Sequence, residues 1–229
     1  MIKNLSIRVY NYEHNDKFQF YDGGISDMYL KNLNNIDTGV VKYINIYFTK
    51  VDHLKIIEDE SFLDINVYFD FDFFEKLLNN FQKKKYIIEK IQDAFMSLCD
   101  KFNWEKSEFV NSFSICFSKN LNHEWRFKNK LFISPNKQYY FELLCKVDIS
   151  TFEIYEILYD SKKNELSRRI CFKDKVHVFS IEKAYWDENS LFFYYKFKGP
   201  SKIFIAKIED LVNNVQYNLT EDISLFFKK

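Results

Sequence analysis

The stretch that decides the fold is residues 72–102, DFFEKLLNNFQKKKYIIEKIQDAFMSLCDKF. Phe74, Leu77, Leu78, Phe81, Ile88, Ile91, Phe95, Leu98 and Phe102 recur at steps of mostly three and four, which stacks them along one side of a 3.6-residue helix. Asp72 with Glu75 three residues on fits a capping box, in which the aspartate accepts an orphan backbone N–H and the glutamate reaches back. At the centre, Lys83-Lys84-Lys85 is either the solvent face of one long helix or the break between two shorter ones. A mean helix length of about 11 to 12 residues favours two. A further helix is expected over residues 104–113, capped by Asn103, with Phe109, Val110 and Phe113 facing inward.

Outside that segment the pattern is mainly strand. Ile7 and Val9, then Phe18 and Phe20, alternate with polar residues on either side of residues 13–16, which predicts a first hairpin, ended by Asp22-Gly23-Gly24. Met28, Leu30, Leu33 and Ile36 suit a short helix or a packed loop equally. Residues 40–48 and 62–71 are expected strands, the second with Leu63, Ile65, Val67, Phe69 and Phe71 on one face. Glu58-Asp59-Glu60 is an acidic turn between them.

After Cys116 the texture becomes β. Residues 125–133, 138–147, 151–159, 166–172, 176–181, 191–197 and 202–208 are short strands, separated by polar turns at 134–137, 160–164, 187–189 and Gly199-Pro200. Residues 211–227 form a last strand or helix. The expected class is therefore α+β: N-terminal strands packed on a helical stretch, then a C-terminal antiparallel β-meander. The division falls into residues 1–117, with central helices over about 72–113, and residues 118–229. Residues 135–140 and 187–192 both carry a polar turn entering an aromatic strand, and residues 154–160 and 204–210 both carry a strand ending in an acidic residue. That period of about fifty residues looks like successive β-propeller blades. A plain meander with hairpins of similar length produces the same pattern, and two blades cannot close a ring.

Composition narrows the function classes. The chain holds 26 Phe and 16 Tyr but only 4 Gly. Aromatic enrichment follows from AT-rich codons, whereas glycine scarcity argues against the Gly-rich loops that cradle phosphates. A formal net charge of zero gives no whole-chain attraction to nucleic acid or to an anionic membrane. Residues 1–70 are nevertheless acidic, with 7 Lys+Arg against 11 Asp+Glu. Cys99, Cys116, Cys145 and Cys171 are widely spaced among apolar neighbours, as small buried hydrophobes of a reducing compartment are. Met1 to Tyr12 lacks the apolar core of a signal peptide and no apolar run reaches membrane-spanning length, so a cytoplasmic protein is expected.

No constellation reaches a catalytic signature. His14, His53, His123 and His177 are isolated, so no metal-ligand spacing and no cofactor is expected. No G-x-S-x-G is present, and Cys99 falls on the apolar helical stripe. Asp70 and Asp72 at i, i+2 are a carboxylate pair that suits either a divalent ion or a helix cap. Lys83 to Lys85 and Arg168-Arg169 are basic clusters near aromatics, read as solvated faces and not as nucleic-acid grooves.

The overall texture, small, aromatic-rich and α+β, resembles the immunity proteins of bacterial polymorphic-toxin and contact-dependent inhibition systems. The resemblance implies a non-enzymatic protein that occludes a cognate protein toxin. The acidic residues Glu58, Asp59, Glu60 and Asp64 are then the expected partner-binding set, pairing with a basic toxin surface. The alternatives are a small metal-dependent hydrolase or nuclease-like enzyme built on Asp70 and Asp72, and an oligomerising β-propeller-like scaffold.

Overall fold

Strand alternation and one helical stripe build the first half of the molecule. A computed structural model describes residues 2–10, 22–34, 36–51, 55–174, 179–187, 190–197 and 202–213. The chain divides into two compact units, Met1–His123 and Glu124–Lys229.

The first unit runs β1 (Asn4–Tyr10), α1 (Ile25–Asn32), β2 (Tyr43–Thr49), β3 (Lys55–Asp59), β4 (Phe62–Tyr68), α2 (Phe71–Lys76), α3 (Asn80–Phe102) and α4 (Lys106–Ser118). Its sheet has the order β1-β2-β4-β3. The pairs β1–β2 and β2–β4 are parallel, while β3 folds back antiparallel on β4. Ile44, Ile46 and Phe48 of β2 and Leu63, Ile65 and Val67 of β4 alternate onto one buried face. The stripe Ile87, Ile88, Ile91, Phe95 and Leu98 of α3 is buried in the same core. Tyr29 of α1 stacks on Phe95 at 5.2 Å and donates its hydroxyl hydrogen to Gln92 Oε1 at 2.6 Å, while Ser112 of α4 donates to the Tyr29 carbonyl at 2.6 Å. The Tyr29 and Ser112 hydroxyls inside this core thus have partners, which offsets the desolvation penalty of burying them.

Several local expectations are corrected. Residues 72–102 form two helices, but the break lies at residues 77–79 and the three lysines sit in the first turns of α3. Leu77 is extended, and Asn79 caps α3 by accepting from Gln82 N–H at 2.9 Å. This break rotates Leu78 and Phe81 outward, Leu78 to 91% exposure, against the inward placement expected of both. The cap of α2 is Asp70, not Asp72: its Oδ1 accepts from Phe73 N–H at 2.9 Å. Burial of Phe71 and Phe74, one turn apart, starts the helix at Phe71 and ends the strand at Tyr68. Lys84 is not on the solvent face. It falls on the buried stripe at 3% exposure and donates to the Leu121 carbonyl at 3.2 Å, its methylenes packing as an apolar side chain would. Asn103, with φ +54, closes the C-terminus of α3, and Glu105 caps α4 instead. Phe109 is buried as expected, but Val110 is exposed. Of the expected first hairpin, Ile7 and Val9 lie in β1, and Phe18 and Phe20 lie outside the described residues. Residues 25–32 are helix, which resolves the choice between helix and loop.

The boundary falls in β5 (His123–Arg126), after its first residue, and the second unit continues with β6 (Phe132–Ile133), β7 (Tyr139–Val147), β8 (Phe152–Asp160), β9 (Glu165–Asp174), β10 (Phe179–Asp187), β11 (Ser190–Phe197), β12 (Lys202–Lys207) and α5 (Ile208–Val212). The strands form two sheets, β5-β7-β8-β9 with β6 on β7, and β10-β11-β12. Within these sheets β7–β8, β8–β9, β10–β11 and β11–β12 pair antiparallel, as in a meander, while β9 and β10 belong to different sheets. The turns carry the expected chemistry: Lys137 has φ +59 between β6 and β7, and Asp160 Oδ1 accepts from the Lys162 and Asn164 N–H groups between β8 and β9. Phe141, Leu143, Cys145, Phe152, Ile154, Leu158, Cys171 and Phe172 form the core of the larger sheet, joined by Ile208 and Leu211 of α5. The fifty-residue offset does not carry through. Residues 154–160 stay in strand β8, whereas residues 204–210 leave β12 at Lys207 and turn helical. Among the described residues no helix is long and apolar enough to cross a membrane.

Candidate functional site

The face of the first sheet opposite the core carries an ordered array of aromatic, amide and acidic side chains. Register aligns its side chains in rows across the strands. Asn4, Tyr43, Phe62 and Asp59 form one row, Ser6, Asn45, Asp64 and Ile57 the next, and Arg8, Tyr47, Asn66 and Lys55 a third. Tyr43 and Phe62 stack with ring centroids 4.6 Å apart. Asn45 donates to Asp64 Oδ1 at 2.7 Å, the Tyr47 hydroxyl donates to Asp64 Oδ2 at 3.4 Å, and the Arg8 guanidinium lies over the Tyr47 ring at 5.9 Å. Ile57 and Phe62 are each 48% exposed. Parallel strands ordinarily bury both faces. Here the second face is lined by tyrosine, phenylalanine, asparagine and aspartate, held in place by neutral donors and ring stacking.

The four acidic residues expected at a partner site fall on different sides of this sheet. Asp59 and Asp64 share the open face. Glu58 pairs across the strands with buried Leu63, so it lies on the helix side, where its carboxylate meets Lys101 of α3 at 3.1 Å. Glu60 occupies the turn after β3, with φ +48. The aromatic and amide members of the face, Tyr43, Asn45, Tyr47 and Phe62, were not singled out from sequence. Their signal was present in the alternate positions of residues 43–47 and 62–66, the same positions that place Ile44, Ile46, Leu63 and Ile65 inside.

Other chemistry-bearing candidates take structural roles. The Asp70 carboxylate is engaged in capping α2, and Asp72 is exposed in the first turn of that helix. No group of three or more His, Cys, Asp or Glu converges as a metal site among the described residues. His14, His53 and His177 lie outside them. His123 packs against Gly24, where a Cβ would meet its ring at 2.5 Å, and Gly24 itself has φ +74. Burial is the main cause that lowers the His123 pKa to about 4, with Lys31, Lys84 and Lys119 adding to it and Asp22 opposing, so the imidazole is neutral. All four cysteines are buried and free. Burial pushes the Cys99 thiol up to about 11 and the Cys145 thiol to about 12, which leaves neither as a thiolate nucleophile.

The basic clusters are matched by acids. Arg168 makes two hydrogen bonds to Glu165, at 3.0 and 2.9 Å, and Arg169 meets buried Glu156 at 2.6 Å. Lys83 lies 4.0 Å from Glu75, and Lys85 lies 3.8 Å from Glu89. Compared with protein-family models, curated proteins and solved structures, the chain matches none.

Proposed function

We propose that this chain is a protein-binding immunity protein, which neutralises a cognate bacterial toxin by covering its surface with the open face of the β1-β2-β4-β3 sheet. One observation carries the reading: the stack of half-buried Tyr43 on exposed Phe62 stands beside Asp59 and Asp64 on the open face of the sheet. Exposed aromatic clusters bordered by polar groups mark interaction surfaces, and aromatic anchors on pre-organised elements carry most of the energy of such interfaces. The partner surface is basic. The first unit holds 15 Lys+Arg against 18 Asp+Glu, a net charge of −3, and the second holds 18 against 15, a net +3. An acidic unit steers a basic partner into encounter, and the Asn45 and Tyr47 donors hold Asp64 in one orientation without neutralising it.

The test co-expresses the chain with the toxin-like product of the gene adjacent to its own and measures growth, followed by titration of the purified pair. Expected are restored growth and a stoichiometric complex. The double variant Tyr43→Ala/Phe62→Ala should lose at least about a hundredfold in affinity, since two anchors of this type are each worth ~2 kcal/mol. Its circular dichroism should stay unchanged. No rescue and no complex with that product overturn the reading.

A further inference from the structure

We infer that the open face of the first sheet takes an arginine side chain of its partner, laid as a third plane on the Tyr43–Phe62 stack and gripped by Asp59 and Asp64. The inference rests on the docking face proposed above and names the group that this face receives. Tyr43, Phe62 and Asp59 stand in one row on β2, β4 and β3. The two ring centroids are 4.6 Å apart with planes 17° from parallel, and neighbouring strands lie about 4.8 Å apart. A stack of that spacing runs across the strands, so the rings stand upright on the sheet. Tyr43 covers one face of Phe62. The other face turns towards β3, where Asp59 is the paired residue. Phe62 is 48% exposed and Asp59 is exposed, which leaves the space between them to solvent.

The charges of this face are divided along the strands. Asp64 follows Phe62 by two residues on the same side of β4, about 6.6 Å further on. Its Oδ1 accepts from Asn45 at 2.7 Å and its Oδ2 from the Tyr47 hydroxyl at 3.4 Å, so neutral donors fix the carboxylate and each oxygen keeps a lone pair. Among the described residues no cation pairs with Asp59 or Asp64. The cations of the face, Arg8 and Lys55, sit two rows from Phe62, about 13 Å along the strands. The acidic end therefore coincides with the aromatic stack, and the complementary group is a cation that also stacks. A guanidinium is planar and carries N–H donors around its rim. Lying on Phe62, it turns one edge along β4 to Asp64, while the exposed Asp59 reaches another edge. An ammonium has no plane to stack and holds its water more tightly, so lysine fits this slot less well.

Titration of the full chain with N-acetylarginine amide and with N-acetyllysine amide tests the slot, followed by backbone-amide and aromatic-carbon NMR. Shifts on adding the arginine probe should concentrate at Asp59, Phe62 and Asp64, and it should bind at least about threefold more tightly than the lysine probe. Phe62→Leu and Asp64→Asn should each weaken the arginine probe by about threefold or more, the scale of an exposed cation contact. Three outcomes overturn the inference: equal affinity for the two probes, no shifts at these three residues, or arginine binding that neither substitution weakens. The titration needs no toxin, so the two readings fail separately. Absence of a complex with the neighbouring gene's product strikes the immunity reading, and a titration that does not discriminate strikes the arginine slot.

Discussion

The outward faces of the two larger sheets alternate alike along their strands and differ in how their charges are matched. On the second unit's sheet, Arg126 meets Glu142 at 2.6 Å, Lys146 meets Glu124 at 3.7 Å, Lys173 meets Glu153 at 2.7 Å and Arg168 meets Glu165 at 2.9 Å. That face completes itself. On the first unit's sheet, Asp64 is held by an amide and a phenol, and the aromatic stack beside it faces solvent. Two sheets built on one periodicity thus have opposite needs: ion pairs satisfy one surface internally, and the other keeps apolar area and carboxylates for a partner. Of these, the Arg168–Glu165 and Lys146–Glu124 pairs, with both members partly exposed, hold the fold only weakly, because exposed ion pairs contribute little net energy, whereas Glu142 of the Arg126 pair is buried.

The sharpest break between inside and outside lies within the second unit. Arg169→Met strands the Glu156 carboxylate in the core and should cost about 3 to 5 kcal/mol in urea unfolding, whereas Lys173→Met on the outward side should cost less than about 1 kcal/mol. A cost for Lys173→Met equal to that for Arg169→Met would remove the distinction.

Next in size, the two units should respond to pH in opposite senses. The His123 pKa is lowered from 6.5 to about 4, so its neutral form is the folded one. The stability it supports is present above pH 6.5 and is lost as pH falls from there through about 4. That loss amounts to roughly 3 to 4 kcal/mol, at about 1.4 kcal/mol for each pKa unit between 6.5 and 4. The Glu156 pKa is raised from 4.5 to about 7, so its contribution is full below pH 4.5 and is lost as pH rises through about 7. Unfolding followed separately by probes in each unit should show these opposite slopes, and His123→Gln should flatten the first.

Smaller effects separate the outward faces themselves. Asp59→Asn and Asp64→Asn should slow association with a basic partner by up to about tenfold at low salt, with the difference shrinking as the Debye length falls below ~8 Å. Stopped-flow rates at two ionic strengths read this out. A double-mutant cycle on Arg168 and Glu165 should give a coupling below about 1 kcal/mol. A coupling of several kcal/mol would mean that the second face is not merely self-complementary but structural.

Much of this was legible in the residues. The stripe from Ile87 to Leu98, the alternation in β2, β4, β7 and β8, and the turn chemistry at residues 134–137 and 160–164 all follow from side-chain direction in helices and strands, which covalent geometry fixes locally. The caps were half legible. An aspartate was bound to open the helix near residue 71, but choosing Asp70 over Asp72 needed the burial of Phe71 and Phe74. Lys84 was misplaced because sequence reading treats lysine by its charge, whereas its place on the stripe and the Leu121 carbonyl decide its burial.

The candidate site was the least legible part. That residues 44, 46, 63 and 65 share a face can be read from period two within each strand. That Asp59 joins Asp64 on one side while Glu58 faces the helices depends on the register of β3 against β4. The parallel order β1-β2-β4 depends on which distant surfaces meet. The sequence by itself determined the helical stripe from Ile88 to Leu98 and the period-two alternation of β2, β4, β7 and β8, but not that residues 25–32 are helix or that Glu58 and Asp59 lie in a strand. Tertiary structure alone decided which strands became neighbours and in what register. Pairing joins residues far apart along the chain, and its free energy is set by the core that forms between them and not by any local pattern.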